Sequence, residues 1–207
     1  MIKRTVLGLT LILFCALGIP SHGQSRVITN FDADWSFHLG DAPGADKPGF
    51  NDKGWRRLNV PHDWSIEGEN LQSNPGGGTV GFFPTGIGWY RKSFNIGSLK
   101  AGDRYQIEFD GVYMNSTVWV NGKLVGNYPY GYSSFVYDLT PFLVKGRNVI
   151  AVKVDNSGQP NSRWYSGSGI YRHVRLVRTS DVHFAQWSIF NYTESVTEES
   201  ACAPQYP

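Results

Sequence analysis

Cysteine is nearly missing from this sequence: 207 residues contain two, Cys15 and Cys202. Cys15 lies within an apolar leader, so removal of the leader leaves Cys202 alone and excludes an internal disulfide. No cysteine or histidine cluster has structural-zinc spacing. His62, His173 and His183 are too dispersed for a metal site, and no cofactor is expected. Charge is scarce too, at 17% of residues with a formal net charge of +2. Loss of residues 1–23 deletes Lys3 and Arg4 and no acidic residue, which brings the net charge to about 0. A near-neutral chain offers no electrostatic case for nucleic acid or an anionic membrane. Nor does any stretch after residue 26 sustain a helical apolar period over three turns.

The leader has three parts. Lys3 and Arg4 form a basic start, residues 6–19 are almost wholly apolar, and Ser21-His22-Gly23 supplies small residues around a spacer. This is the pattern of a secretory signal cut after Gly23, too short and wrongly flanked for a membrane span. A lipidated Cys15 is disfavoured by the bulky Phe14 directly before it. An exported protein without a membrane anchor is expected, periplasmic or extracellular.

Aromatics and glycine are plentiful: 7 Trp, 11 Tyr, 12 Phe and 24 Gly. The chain between the leader and residue 180 reads as short alternating runs separated by turns. Residues 34–39 place Trp35, Phe37 and Leu39 on one face. Residues 88–96 place Trp89, Arg91, Ser93 and Asn95 opposite Tyr90, Lys92, Phe94 and Ile96. Strands are expected at 104–109, 117–120, 123–126, 148–155 and 171–178. Asn121-Gly122 between two of them is the strongest short-range hairpin signal, because both central residues of a type I′ turn need positive φ. Regular short strands with glycine-rich turns argue for an all-β sandwich or jelly roll of residues 24–180. Trp35, Trp89 and Trp119 at alternating strand positions are read as core. Three long connections, 40–56, 61–88 and 157–169, carry aromatic and charged residues and are read as functional. From Asp181 a new alternation begins, and residues 181–190 look like the first strand of a further domain.

Seven segments in order resemble the sugar-binding domain of glycoside hydrolase family two, the family of β-galactosidases, β-glucuronidases and β-mannosidases. They are Val60-Pro61-His62-Asp63-Trp64, Gly88-Trp89-Tyr90-Arg91-Lys92-Ser93-Phe94, Phe109-Asp110-Gly111-Val112, Val118-Trp119-Val120-Asn121-Gly122, Tyr137-Asp138-Leu139-Thr140, Gly146-Arg147-Asn148-Val149-Ile150-Ala151-Val152 and Ser166-Gly167-Ser168-Gly169-Ile170-Tyr171-Arg172. The Pro-His-Asp-Trp form looks most like the bacterial β-galactosidases. The resemblance implies a galactose-binding-like jelly roll, followed in such enzymes by an immunoglobulin-like sandwich and then a (β/α)8 barrel. That barrel carries two glutamates for hydrolysis with retention. The present chain ends before such a barrel, and residues 203–207 depart from the family pattern. A truncated or frameshifted reading frame is therefore expected, with no catalytic residue in this chain and the missing C-terminal domains as its partners. Alternatives are a standalone carbohydrate-binding module and a non-functional remnant.

The resemblance also implies site residues. In the family, loops of this domain reach the barrel mouth and shape the subsite for the non-reducing sugar. Asp63 offers two acceptor oxygens to the hydroxyls of a β-linked glycoside or oligosaccharide, and Trp64 a face for stacking. Arg163 and Tyr165 offer donors, and Trp164 a flat apolar surface. Glu67 and Glu69 lie in a loop with no apolar segment between them to raise one pKa, and are not read as a catalytic pair. Ser166-Gly167-Ser168-Gly169 is read as a turn rather than a phosphate cradle, because no helix follows it.

Overall fold

The computed structural model describes residues 26–161, 164–193, 195 and 197. The leader, Arg163 and Cys202 lie outside these residues. Ten strands make two antiparallel sheets: β1 (Val27–Asn30), β2 (Trp35–Leu39), β3 (Arg56–Leu58), β4 (Gly86–Ile96), β5 (Asp103–Phe109), β6 (Ser116–Val120), β7 (Lys123–Tyr128), β8 (Phe135–Asp138), β9 (Gly146–Asn156) and β10 (Val174–Ser180). One sheet has the order β1-β10-β5-β8 and the other β3-β2-β4-β9-β6-β7. The expected all-β sandwich is therefore the fold. The helical content described is two short 3-10 turns, Gly77–Val80 and Thr140–Phe142.

The alternating runs lie in strands because each places a continuous apolar row on one face. Trp35, Phe37, Tyr90, Phe94, Ile107, Phe109, Val118, Val120, Ile150 and Val152 fill the space between the sheets. The longest pairing, β4 with β9, runs from Gly86 opposite Asn156 to Ile96 opposite Gly146. The Asn121-Gly122 turn has both φ values positive, 53° and 79°, as a type I′ hairpin demands. The Asn121 amide also donates to Phe142 O (2.9 Å) and Asn148 Oδ1 (2.8 Å), so it fixes the hairpin to the neighbouring connection.

The outer face of the six-stranded sheet corrects one expectation. Most of the 40–56 connection forms a cover over this face. Ala42 and Ala45 pack on Trp89 and Ala151, with Phe50, Trp55 and Trp119 at the edge. Trp89 and Trp119 stack at 5.4 Å and 22°; Trp89 is buried in this second apolar cluster with Trp119 packed against it, while Trp35 belongs to the main core. Arg91 straps the cover down. Its side chain is 2% exposed, paired with Asp52 at 3.1 Å and donating to the carbonyls of Ala45 and Lys47. A guanidinium facing outward from β4 has no solvent to meet, so the loop supplies the acceptors that burial requires.

Three short strands, β1, β3 and β8, were not apparent as alternating runs. β10 begins three residues later than expected, because His173 is held by Asp32 (Nδ1 to Oδ2, 2.7 Å) and Tyr171 by Gly131 O (2.8 Å). The strand expected over 181–190 is not formed; those residues make bends and a turn. A lone strand has no ladder partner, and its alternating side chains have no second layer to bury against.

Candidate carbohydrate-binding site

Two of the long connections meet at one end of the sandwich. His62 N donates to Ile170 O (2.8 Å) and Trp64 N to Ser168 O (3.1 Å), so residues 62–64 run beside 168–170. Tyr113 and Gly169 form a further bridge on the other side. Gly169 has φ +125°, and a Cβ there would overlap the Tyr90 hydroxyl and the His62 carbonyl, so no other residue fits.

Asp63 joins the two connections. Its Oδ1 accepts from Ser65 N (2.9 Å) and Ser168 N (2.8 Å), while Oδ2 accepts from the Tyr165 hydroxyl (2.7 Å). Gly167 lies directly over this carboxylate, where a Cβ would clash with Oδ2. Ser168 Oγ accepts from Ser65 Oγ (2.7 Å) and Asn156 Nδ2 (2.8 Å). The Tyr165 ring rests on Phe83 (4.5 Å between centroids). Burial, reinforced by the Asp63 carboxylate, pushes the Tyr165 hydroxyl well above its ordinary range, so it stays a donor. The turn read in Ser166–Gly169 is thus a short paired segment locked by a carboxylate.

Of the five residues singled out, the structure brings Asp63 and Tyr165 into direct contact. Trp164, next to them in the chain, is 66% exposed. Arg163 is not among the described residues. Trp64 departs from expectation: it is 2% exposed, stacked on Phe37 at 5.7 Å and 26°, and pressed against Gly88, which has no room for a Cβ beneath the ring. A buried indole has no face to offer a sugar, because the apolar core gains more from it than an exposed loop would. What the end of the sandwich presents is a carboxylate with remaining acceptor capacity, a tyrosine beside it and an exposed tryptophan. These groups suit hydroxyls and the C–H faces of a pyranose.

A second cluster lies behind the same loop. Arg56 makes a two-pronged pair with Glu67 (2.5 and 3.0 Å), and Glu67 Oε2 accepts from His62 Nε2 (3.1 Å). His62 Nδ1 lies 2.7 Å from the Tyr90 hydroxyl. The Arg56 guanidinium, and then His62, hold the Glu67 carboxyl down to about 2. Burial holds His62 below its ordinary range despite Glu67. Since Glu67 is an acceptor, Nε2 carries the proton and Nδ1 accepts from Tyr90. A carboxyl kept anionic in this way is a poor general acid. Nothing local in the sequence marks this chain of four side chains, since Arg56, His62, Glu67 and Tyr90 meet only in the folded state.

Fold and site together define a β-sandwich binding domain with its polar and aromatic loops gathered at one end. The chain belongs to the glycosyl hydrolases family 2, whose sugar binding domain matches residues 28–180. It is similar to a β-galactosidase of Bacteroides ovatus, 54% identical over 177 residues, which are 85% of this chain and 21% of that protein. Among solved structures, a β-glycosidase from Bacteroides vulgatus superimposes with a TM-score of 0.72 at 53% identity, over 74% of this chain and 20% of that one. A family 2 glycosyl hydrolase from Bacteroides cellulosilyticus gives 0.74 at 43% identity, over 77% and 21%. The chain thus spans about a fifth of the length of these relatives. No helix among the described residues is long and apolar enough to cross a membrane.

Proposed function

We propose that this domain serves an exported, retaining glycoside hydrolase of β-galactosidase type, supplying one wall of the sugar subsite while a barrel outside this chain carries the two catalytic glutamates. The observation that carries the reading is the Asp63–Tyr165 contact, which places a carboxylate, a phenol and the adjoining Trp164 at one loop end of a family 2 sugar-binding domain. Asp63, Tyr165, Trp164 and Arg163 are the residues assigned to sugar contact; Trp64 supports them from the core. A β-galactoside is the leading substrate, with β-glucuronide and β-mannoside behind it. Residues 1–23 direct export.

Support for a covalent partner comes from the segment after β10. Val182 (88% exposed), Phe184, Ile189 and Phe190 (84% exposed) are exposed apolar side chains among the described residues of that segment, and Phe190 stacks on Tyr192. Such a run suits the first strand of an adjoining sandwich, which would furnish the ladder and second layer.

The test is a chimera in which residues 26–180 replace the corresponding domain of the Bacteroides ovatus relative. Hydrolysis of p-nitrophenyl β-galactoside is expected, with kcat/KM lowered about tenfold or more by Asp63→Ala, the loss of one charged hydrogen bond in the transition state. A folded chimera that hydrolyses no β-glycoside, beside an active parent, overturns the proposal. Faster hydrolysis of the β-glucuronide than of the β-galactoside reassigns the sugar.

A further inference from the structure

A cleft of about 430 Å3 opens between β2, the 54–56 segment and the 64–68 segment. None of Asp63, Tyr165 or Ser168 lines it. Phe37 and Trp64, both buried, form its floor, and Leu39 and Trp55 its apolar wall. Trp55 is fixed by stacking on His38 (5.2 Å, 21°) and by the Phe50 edge (5.5 Å). Arg56 and Glu67 form the polar wall. Among the described residues, these two are the only ionisable side chains lining the cleft apart from the His38 imidazole, and they cancel one another.

The polar wall is built rather than loose. His62 and the fully buried Tyr90 hold Glu67 from behind, and the two-pronged pairing fixes the guanidinium plane. Arg56 uses two of its five N–H groups on Glu67 and keeps three, and Glu67 Oε1 keeps acceptor capacity. Trp64 closes the cleft from below as an apolar surface.

We infer that this cleft is a second saccharide-binding site, separate from the Asp63 clasp, which takes a neutral pyranose. The net neutrality of the lining disfavours carboxylated and cationic ligands. A tryptophan beside a rigid fork of donors and acceptors matches a ring that has C–H faces and a hydroxyl rim. Such a site would hold a polymeric glycan on the domain while its end is processed elsewhere.

The test is titration of the full chain with lactose, up to about 100 mM, where even a millimolar site saturates, while following the indole N–H resonances of Trp55 and Trp64. Both resonances are expected to move. Arg56→Ala should weaken the titration about tenfold or more, and Arg56→Lys should not restore it, since an ammonium lacks the fork. Glu67→Gln, which keeps the shape, should weaken it as well. Tyr165→Phe, which lies in the other site, should change the Trp164 response and not the Trp55 and Trp64 shifts. Unmoved Trp55 and Trp64 resonances at saturation overturn the inference, as does an undiminished titration in Arg56→Ala with an unaltered thermal midpoint. Binding of glucuronate in preference to lactose also overturns it. Perturbation limited to Trp164, abolished by Tyr165→Phe, assigns the sugar to the Asp63 site alone and overturns the second site while sparing the first.

Discussion

The Tyr165 hydroxyl donates to Asp63 Oδ2 at 2.7 Å across 102 residues of chain, and the same carboxylate accepts two backbone N–H groups through Oδ1. Asp63 is therefore a structural clasp as well as a sugar candidate, and the two roles separate by experiment. Asp63→Ala strands the Ser65 and Ser168 N–H groups and should destabilise the domain by about 2 kcal/mol. Tyr165→Phe removes one partly exposed hydrogen bond and should cost about 1 kcal/mol or less. Urea unfolding of the two variants reads the difference. Equal losses would mean that the backbone contacts to Oδ1 carry little.

Gly167 and Gly169 test how tightly the loops are joined. Gly167→Ala drives a methyl into Asp63, whereas Gly169→Ala meets both a φ of +125° and the Tyr90 hydroxyl. Each should lower stability by about 2 kcal/mol or more, Gly169→Ala by the larger amount, because backbone strain adds to overlap. Calorimetric midpoints of the two variants check the order.

Arg91 predicts a local effect. Arg91→Ala leaves Asp52 and the Ala45 and Lys47 carbonyls without their buried donor and uncovers Trp89, at a cost of about 3 kcal/mol. Limited proteolysis should then cut within 40–56 faster than in the parent protein. Unchanged cleavage would show that the alanine contacts hold the cover without the strap.

Acid should unfold this domain through the Glu67 cluster. Glu67 titrates at about 2 in the fold against an ordinary 4.5, so its contribution is present above about 4.5 and is lost as pH falls towards 2. Burial depresses His62 below its ordinary 6.5, so the unfolded chain takes that proton first and stability already declines below that pH. Both effects point the same way. The thermal midpoint should fall steadily from pH 7 to pH 3, and Glu67→Gln should flatten the lower part of that curve. An identical slope in the variant would remove Glu67 as a cause.

The sequence alone determined the sandwich, because alternation at β2, β4, β5 and β9 and the Asn121-Gly122 turn are local properties with one structural reading each. It also determined the family, since seven ordered segments carry it, and singled out Asp63 and Tyr165 as site candidates. Short edge strands such as β3 carry no legible signal, since three residues hold no period. Only the tertiary structure decided which tryptophan is exposed beside Asp63. Trp64 and Trp164 look alike as loop residues, yet one is drawn into the core by Phe37 and the absence of a side chain at Gly88, and the other is left outside. The same holds for Arg91, whose outward register on β4 was legible but whose burial depended on a loop 39 residues earlier in the chain at Asp52. Burial is a sum over non-local neighbours, and a sequence reports only the near ones.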